Sequence, residues 1–276
     1  MKYVLALVLA IMAAAPVAAQ TPQLKATEIA RFPAKEAGQG VAVDAHYFYA
    51  VVNRAIGKYD KKSGLRVAGW RDLQDGAFIH LNSCKALENL LRCAHSNFPG
   101  IPMTSSIEYF DKDTLQPVAS HSLGIAHGSL TWIDEKDDAY WAVFANYDDR
   151  GGTPGQGSEW SQLVKFDKNW SRIGGWTFPK SILSRMRPAS SSGGAWGPDG
   201  LLYVSGHDHP ELYVLRLPKA GSELMLVATI AVPIEGQAFA FDPASRKPVV
   251  YGISRPRREI VVFQLPPIDA PDSDVE

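Results

Sequence analysis

GQGVAVDAHYFYAVVNRAIGKYDKKSGLRVAGW, residues 38–70, divides into four short apolar segments separated by turns: GVAVD (40–44), YFYAVV (47–52), AIGKYD (55–60) and LRVAGW (65–70). Brief runs rich in Val, Ile, Tyr and Phe, bounded by Asp, Asn, Gly and Lys, predict strands rather than helices. Four such strands in succession make one antiparallel blade. The arrangement recurs from about Gly38, Ala77, Ala126, Gly193 and Gly236. The spacing of roughly 40 to 65 residues suits propeller blades with loop insertions.

The other units read in the same register. Inner strands are expected at FIHLN, GSLTWID, GGAWGP and QAFAFD, and second strands at LLRCAH, AYWAVFA, LLYVSG and VVYGIS. Third strands follow at SSIEYF, SQLVKFD, ELYVLRL and EIVVFQL, and outer strands at PVASHSL, RIGGWTF and MLVATIAV. The fifth unit lacks an outer strand because the chain runs into PPIDAPDSDVE. ATEIARFP (26–33) at the other end supplies it, which closes the ring and covers a bare sheet edge. The expected fold is therefore all-β, a five-bladed β-propeller closed by an N-terminal strand that completes the last blade. Residues 20–276 form its single domain. The one helical candidate, PKSILSRMR (179–187), falls in a connection, and Trp132, Trp141 and Trp196 read as blade packing.

MKYVLALVLAIMAAAPVAAQ has the lysine, apolar run and small-residue ending of a secretory signal peptide spanning residues 1–19, cut after Ala19. No cysteine follows the cut to carry a lipid, and no later stretch of about 18 apolar residues could span a membrane. A secreted or periplasmic monomer is the expectation. A net charge of -1 and a pI near 6.7 provide no general field to gather nucleic acid. Cys84 and Cys93, the two cysteines, are expected to form a disulfide between neighbouring strands.

In an antiparallel blade the loops from second to third strand share one face with the loops that lead into the next blade. On that face fall Gln39, Asn53, Arg54, His80, His95, Asn97, His127, Asn146, His207, Asp208, Gln237 and Arg255. The longest insertions, HSNFPGIPMTSS and NYDDRGGTPGQGSEW, lie there too, whereas the opposite turns (DKKSG, DKDTL, DPASRK) are ordinary polar turns. His80, His127 and His207 are the candidate ligands of one divalent metal ion, zinc or another transition metal. His95, Asp208 and Arg255 are the candidate catalytic groups: a general base and a guanidinium that stabilises developing negative charge. Gln39, Asn53, Arg54, Asn97, Asn146 and Gln237 are candidate ligand contacts. No nucleotide cofactor is expected, because GGTPGQG lacks the lysine of a phosphate-binding loop.

The expected activity is binding of a small anionic or polar ligand at a His/Arg/Asn-lined mouth, with metal-dependent hydrolysis as its catalytic form. The alternative is a non-enzymatic propeller that binds a ligand or a protein. GQGVAVDAHYFYAVVNRAIGKYDKKSG and GGAWGPDGLLYVSGHDHPELYVLRLP resemble secreted β-propellers of the glutaminyl-cyclotransferase-like and NHL or lactonase-like groups. The first resemblance implies a five-bladed acyltransferase forming N-terminal pyroglutamate. The second implies a hydrolase with a metal in its channel.

Overall fold

A computed structural model describes residues 22–125 and 127–269; the signal peptide expected over residues 1–19 lies outside them. Two short strands open the chain, β1 (Gln23–Lys25) and β2 (Thr27–Pro33). The first blade then follows as β3 (Gly40–Val43), β4 (Tyr47–Val52), β5 (Ala55–Asp60) and β6 (Arg66–Arg71). The second comprises β7 (His80–Ala86), β8 (Leu90–Ser96), β9 (Ser105–Asp111) and β10 (Pro117–Gly124). β11 (Ser129–Lys136), β12 (Ala139–Ala145), β13 (Gln162–Phe166) and β14 (Arg172–Thr177) make the third. The fourth holds β15 (Gly193–Trp196), β16 (Leu202–Ser205), β17 (Glu211–Arg216) and β18 (Met225–Ala231). The fifth holds β19 (Ala240–Phe241), β20 (Val249–Ser254) and β21 (Glu259–Gln264).

The five sheets are those expected, and β2 pairs antiparallel with β21 to complete the fifth blade. The amino-terminal segment does more than that. β1 runs parallel to β18, with Leu24 opposite Ile230, and adds a fifth strand to the fourth blade. One short segment thus edges two blades. The predicted helix is present as α1 (Lys180–Met186), and it turns Ile182, Leu183 and Met186 into the seam between the third and fourth blades.

Burial explains the strand sequences. β4 and β12 are covered on both faces and read as almost unbroken apolar runs, while β6 and β10 at the rim are largely exposed. Among the described residues there is no single central core. Instead five apolar clusters fill the five seams between neighbouring blades, for example Tyr49, Val51 and Ile56 against Leu81, Leu91 and Phe110. Trp132 and Trp141 are buried in one seam as expected, and Trp196 packs edge-on against Trp141 at 5.0 Å. Each blade buries its apolar faces against its neighbours. The charged turns reinforce this: Lys61 pairs with Asp242 at 2.8 Å between the first and fifth blades, and Lys112 with Asp44 at 2.8 Å between the second and first.

Cys84 and Cys93 are disulfide-bonded across β7 and β8, directly opposite one another with their Cα atoms 4.0 Å apart. Replacing both by alanine is expected to lower unfolding stability by about 2 to 3 kcal/mol, from the unfolded-chain entropy that the cross-link removes. Urea denaturation of oxidised, reduced and substituted protein measures this. Coincident midpoints would show that strand pairing alone fixes this hairpin. Among the described residues no helix is long and apolar enough to cross a membrane.

Candidate functional site

The loops that lead into the inner strands and out of the second strands enclose a cavity of about 340 Å³ on one face of the ring. His80 enters it from the start of β7, Gln39 from just before β3, and Gln237 from the loop before β19. His207 and Asp208 arrive from the corner after β16, and Arg255 from the corner after β20. Of the residues expected to meet at the mouth, these six line the cavity.

The corner that carries His207 is locked from the neighbouring blade. Gln237 has φ of 71° and follows Gly236 at φ of 83°; its N–H donates to the Gly206 carbonyl at 2.9 Å and its side-chain amide to the His207 carbonyl at 3.2 Å. A Cβ on Gly236 would lie 2.5 Å from the Gly206 carbonyl oxygen, so this close approach needs glycine. Gln237 thereby acts on the cavity by holding its wall.

Arg255 donates from one terminal nitrogen to Nε2 of His207 at 2.9 Å. Guanidinium groups have donors only, so Nε2 is unprotonated, and the imidazole proton on Nδ1 is donated to Asp208 at 2.7 Å. Arg255, His207 and Asp208 therefore form a chain with a neutral ring in the middle. Among the described residues Arg255 has no carboxylate within ion-pair distance, and burial lowers its pKa despite the attraction of Asp208. A half-buried cation held only by a neutral acceptor is an open receptor for an anion.

His80 is 9% exposed, and burial pushes its pKa down to about 4, helped by the positive charge of Arg255. This predicts a definite acid response. Above pH 6.5, the usual value, the ring is neutral in folded and unfolded chains alike. Between 6.5 and 4 the unfolded chain takes up a proton that the folded chain refuses, so stability falls as pH falls through that window. Below it both are protonated and the accumulated loss is about 3 kcal/mol. Asp44 and Asp148, both held near 2, respond at lower pH. Urea midpoints from pH 7 to pH 4 should show the slope, and His80→Gln should flatten it. An unchanged slope in that variant would place the titration elsewhere.

Several expected site residues turn away from the cavity. His95 accepts the Ile79 N–H on Nε2 at 3.0 Å and meets the Ser106 hydroxyl through Nδ1 at 2.9 Å, while that hydroxyl donates to Glu108 at 2.6 Å. Both of its nitrogens are engaged, and burial lowers its pKa. Arg54 donates to the carbonyls of Leu73 and Gly76 and stands 4.0 Å from Asp72, so it clamps the loop into the second blade. Asn97 spans its own loop to Pro102 and Thr104, and Asn146 donates to the carbonyls of His127 and Trp160. Asn53 accepts from the Gln39 amide at 2.8 Å and so meets the cavity through that partner.

The three histidines expected to share a metal are not brought together. His80 and His207 line the cavity, whereas the His127 ring, just before β11, packs against Phe144 at 4.8 Å and Phe166 at 6.1 Å. Among the described residues no group of three or more His, Cys, Asp or Glu side chains is arranged to hold a metal ion.

The cavity also has residues that the strand pattern did not mark. Phe98, in the loop after β8, lays its ring against His80 at 5.1 Å and against Tyr147 at 4.8 Å. Tyr147 and Arg150 come from the third-blade insertion, whose position is set by Asp148, paired with Arg187 at 2.6 Å and accepting the Ser158 N–H. The lengths of these two insertions were the available signal. Beneath them, buried serines join the blades: Ser129 donates to Ser96, Ser105 to the Gly128 carbonyl, Ser190 to Ser161 and Ser205 to the Gln237 carbonyl. These buried hydroxyls find partners in the neighbouring blade and so tie the blades together.

No protein-family model and no curated protein matches the chain. Among solved structures it is similar to a luciferin-regenerating enzyme, over 88% of this chain and 95% of that one, with 10% identity and a TM-score of 0.51. A chain from a mitotic checkpoint complex aligns over 95% of this chain and 98% of its own, with 10% identity and a TM-score of 0.43. The first likeness shows the fold alone, and neither the cyclotransferase-like nor the lactonase-like resemblance becomes a family assignment. The chain is a five-bladed β-propeller without an assigned family.

Proposed function

We propose that this protein is an exported propeller that binds a small organic anion in the cavity between His80, His207 and Arg255. The observation that carries the reading is the Arg255 guanidinium, half-buried, facing the cavity and hydrogen-bonded to a neutral imidazole instead of a carboxylate. A carboxylate fits that vacancy in partners, because a guanidinium presents parallel donors at the spacing of its two oxygens. Export is supported by the residue 1–19 pattern and by the disulfide, which suits an oxidising compartment.

Titration of the disulfide-intact protein with acetate and propionate, followed by NMR of the Arg255 side chain and the His207 ring, tests this. Saturable shifts at both groups are expected, with affinity reduced about tenfold or more in Arg255→Met, as loss of a charge-assisted pair implies. Binding that survives that substitution unchanged would place the anion site elsewhere.

A further inference from the structure

The walls of the cavity differ in chemistry. One part of the lining carries the polar groups already described: Arg255, the His207 ring and the amides of Gln39 and Gln237. The other carries a tilted set of rings in which Phe98 stands between His80 and Tyr147 with interplanar angles of 42° and 57°. Pro188 and Ala189 add further apolar lining. The Phe98 ring is itself backed by the third-blade insertion: a Cβ on Gly151 would fall 2.5 Å from it, so the two loops are in close contact. A ring held in this way is a preformed surface.

From this asymmetry we infer that the ligand is an aryl monocarboxylate, its carboxylate on Arg255 and its flat apolar body against Phe98 and Tyr147. The inference rests on the anion reading above and names the class of anion. Aromatic rings favour tilted or offset neighbours, and the wall presents faces and edges in that arrangement. A cavity of about 340 Å³ accommodates a ring with a short acidic arm.

Charge argues against a polyanion. Arg150 and Arg255 line the cavity, but so do Asp149 and Asp208, so the formal charges of the lining cancel and a polyanion meets no net positive field. Inorganic phosphate, which needs several convergent donors or a second desolvated cation, finds here one half-buried guanidinium, since Arg150 is exposed beside Asp149. The apolar wall gives it nothing.

The test uses the full chain with its disulfide intact and four probes: phenylacetate, cyclohexylacetate, acetate and inorganic phosphate. Calorimetry is expected to show phenylacetate binding about tenfold or more tightly than acetate, cyclohexylacetate between them, and phosphate no more tightly than acetate. Phe98→Leu should reduce the phenylacetate-to-acetate ratio in part and Phe98→Ser should bring it close to unity. The leucine variant keeps the apolar loop contact if the serine variant fails to fold. Equal affinity for phenylacetate and acetate, tighter binding of phosphate, or a ratio untouched in Phe98→Leu would each overturn the aryl assignment while the anion reading stands. Failure of every carboxylate to bind would overturn both.

Discussion

Removing Pro22–Pro33 is expected to abolish the cooperative unfolding transition of the ring. The segment supplies β2, which pairs with β21 from Thr27 opposite Gln264 to Pro33 opposite Glu259, and β1, which pairs with β18 in the adjacent blade. It also brings Ala26 into the seam between the fourth and fifth blades, and Phe32 to 5.5 Å from Phe48 in the first blade. Arg31 meets Glu259 at 3.0 Å along the same edge. Its loss leaves one edge of β21 unpaired and loosens two seams of a structure whose cores are all seams. An exposed edge of this kind also templates association. Calorimetry and light scattering of the truncated protein measure the outcome: a broad or absent transition with aggregation is expected. A midpoint within about 2 °C of the intact chain would show that four and three-quarter blades suffice.

Asp134→Leu is expected to cost about 3 kcal/mol or more, the largest effect anticipated for a single substitution. Asp134, almost fully buried on β11, pairs with Lys85 of the second blade, accepts the Trp196 N–H of the fourth at 2.8 Å and caps the Glu135 N–H at 2.7 Å. One carboxylate thus joins three consecutive blades, away from the cavity lined by His80, His207 and Arg255. Leucine removes every acceptor and strands two backbone donors. Lys85 is 39% exposed and can turn to water, so Asp134→Asn, which keeps an acceptor for Trp196, should cost only about 1 to 2 kcal/mol. Urea midpoints at constant slope separate the two. If leucine and asparagine cost the same, the charge and not the backbone acceptors governs this junction.

These effects belong to the ring, and the cavity beside Arg255 depends on the ring only for placement. Arg54 and Arg255 illustrate the division. Both follow the second strand of their blade and are equivalent in the repeat, yet one clamps Leu73 and Gly76 while the other faces His207. The difference lies in what the neighbouring blade presents. The Asp72–Gly76 loop offers Arg54 carbonyls and a carboxylate, and the corner beside Arg255 offers an imidazole. His80 and His127 diverge for a similar reason: one starts an inner strand at the cavity, while the other precedes its strand and finds Phe144 and Phe166.

Strand positions, blade number and closure by ATEIARFP were legible in the residues because each depends on local alternation and turn chemistry, repeated five times. The Cys84–Cys93 bridge was legible on the same grounds, since two adjacent strands set its geometry. The direction of a polar side chain at a loop was not, because its partners come from another blade, tens of residues away. His207 and Arg255 are separated by 48 positions, and their contact exists only after two blades have packed. The parallel pairing of β1 with β18 is of the same kind. Backbone periodicity is a local property that a sequence carries openly; the pairing of a guanidinium with one acceptor among several is settled by which seam closes beside it.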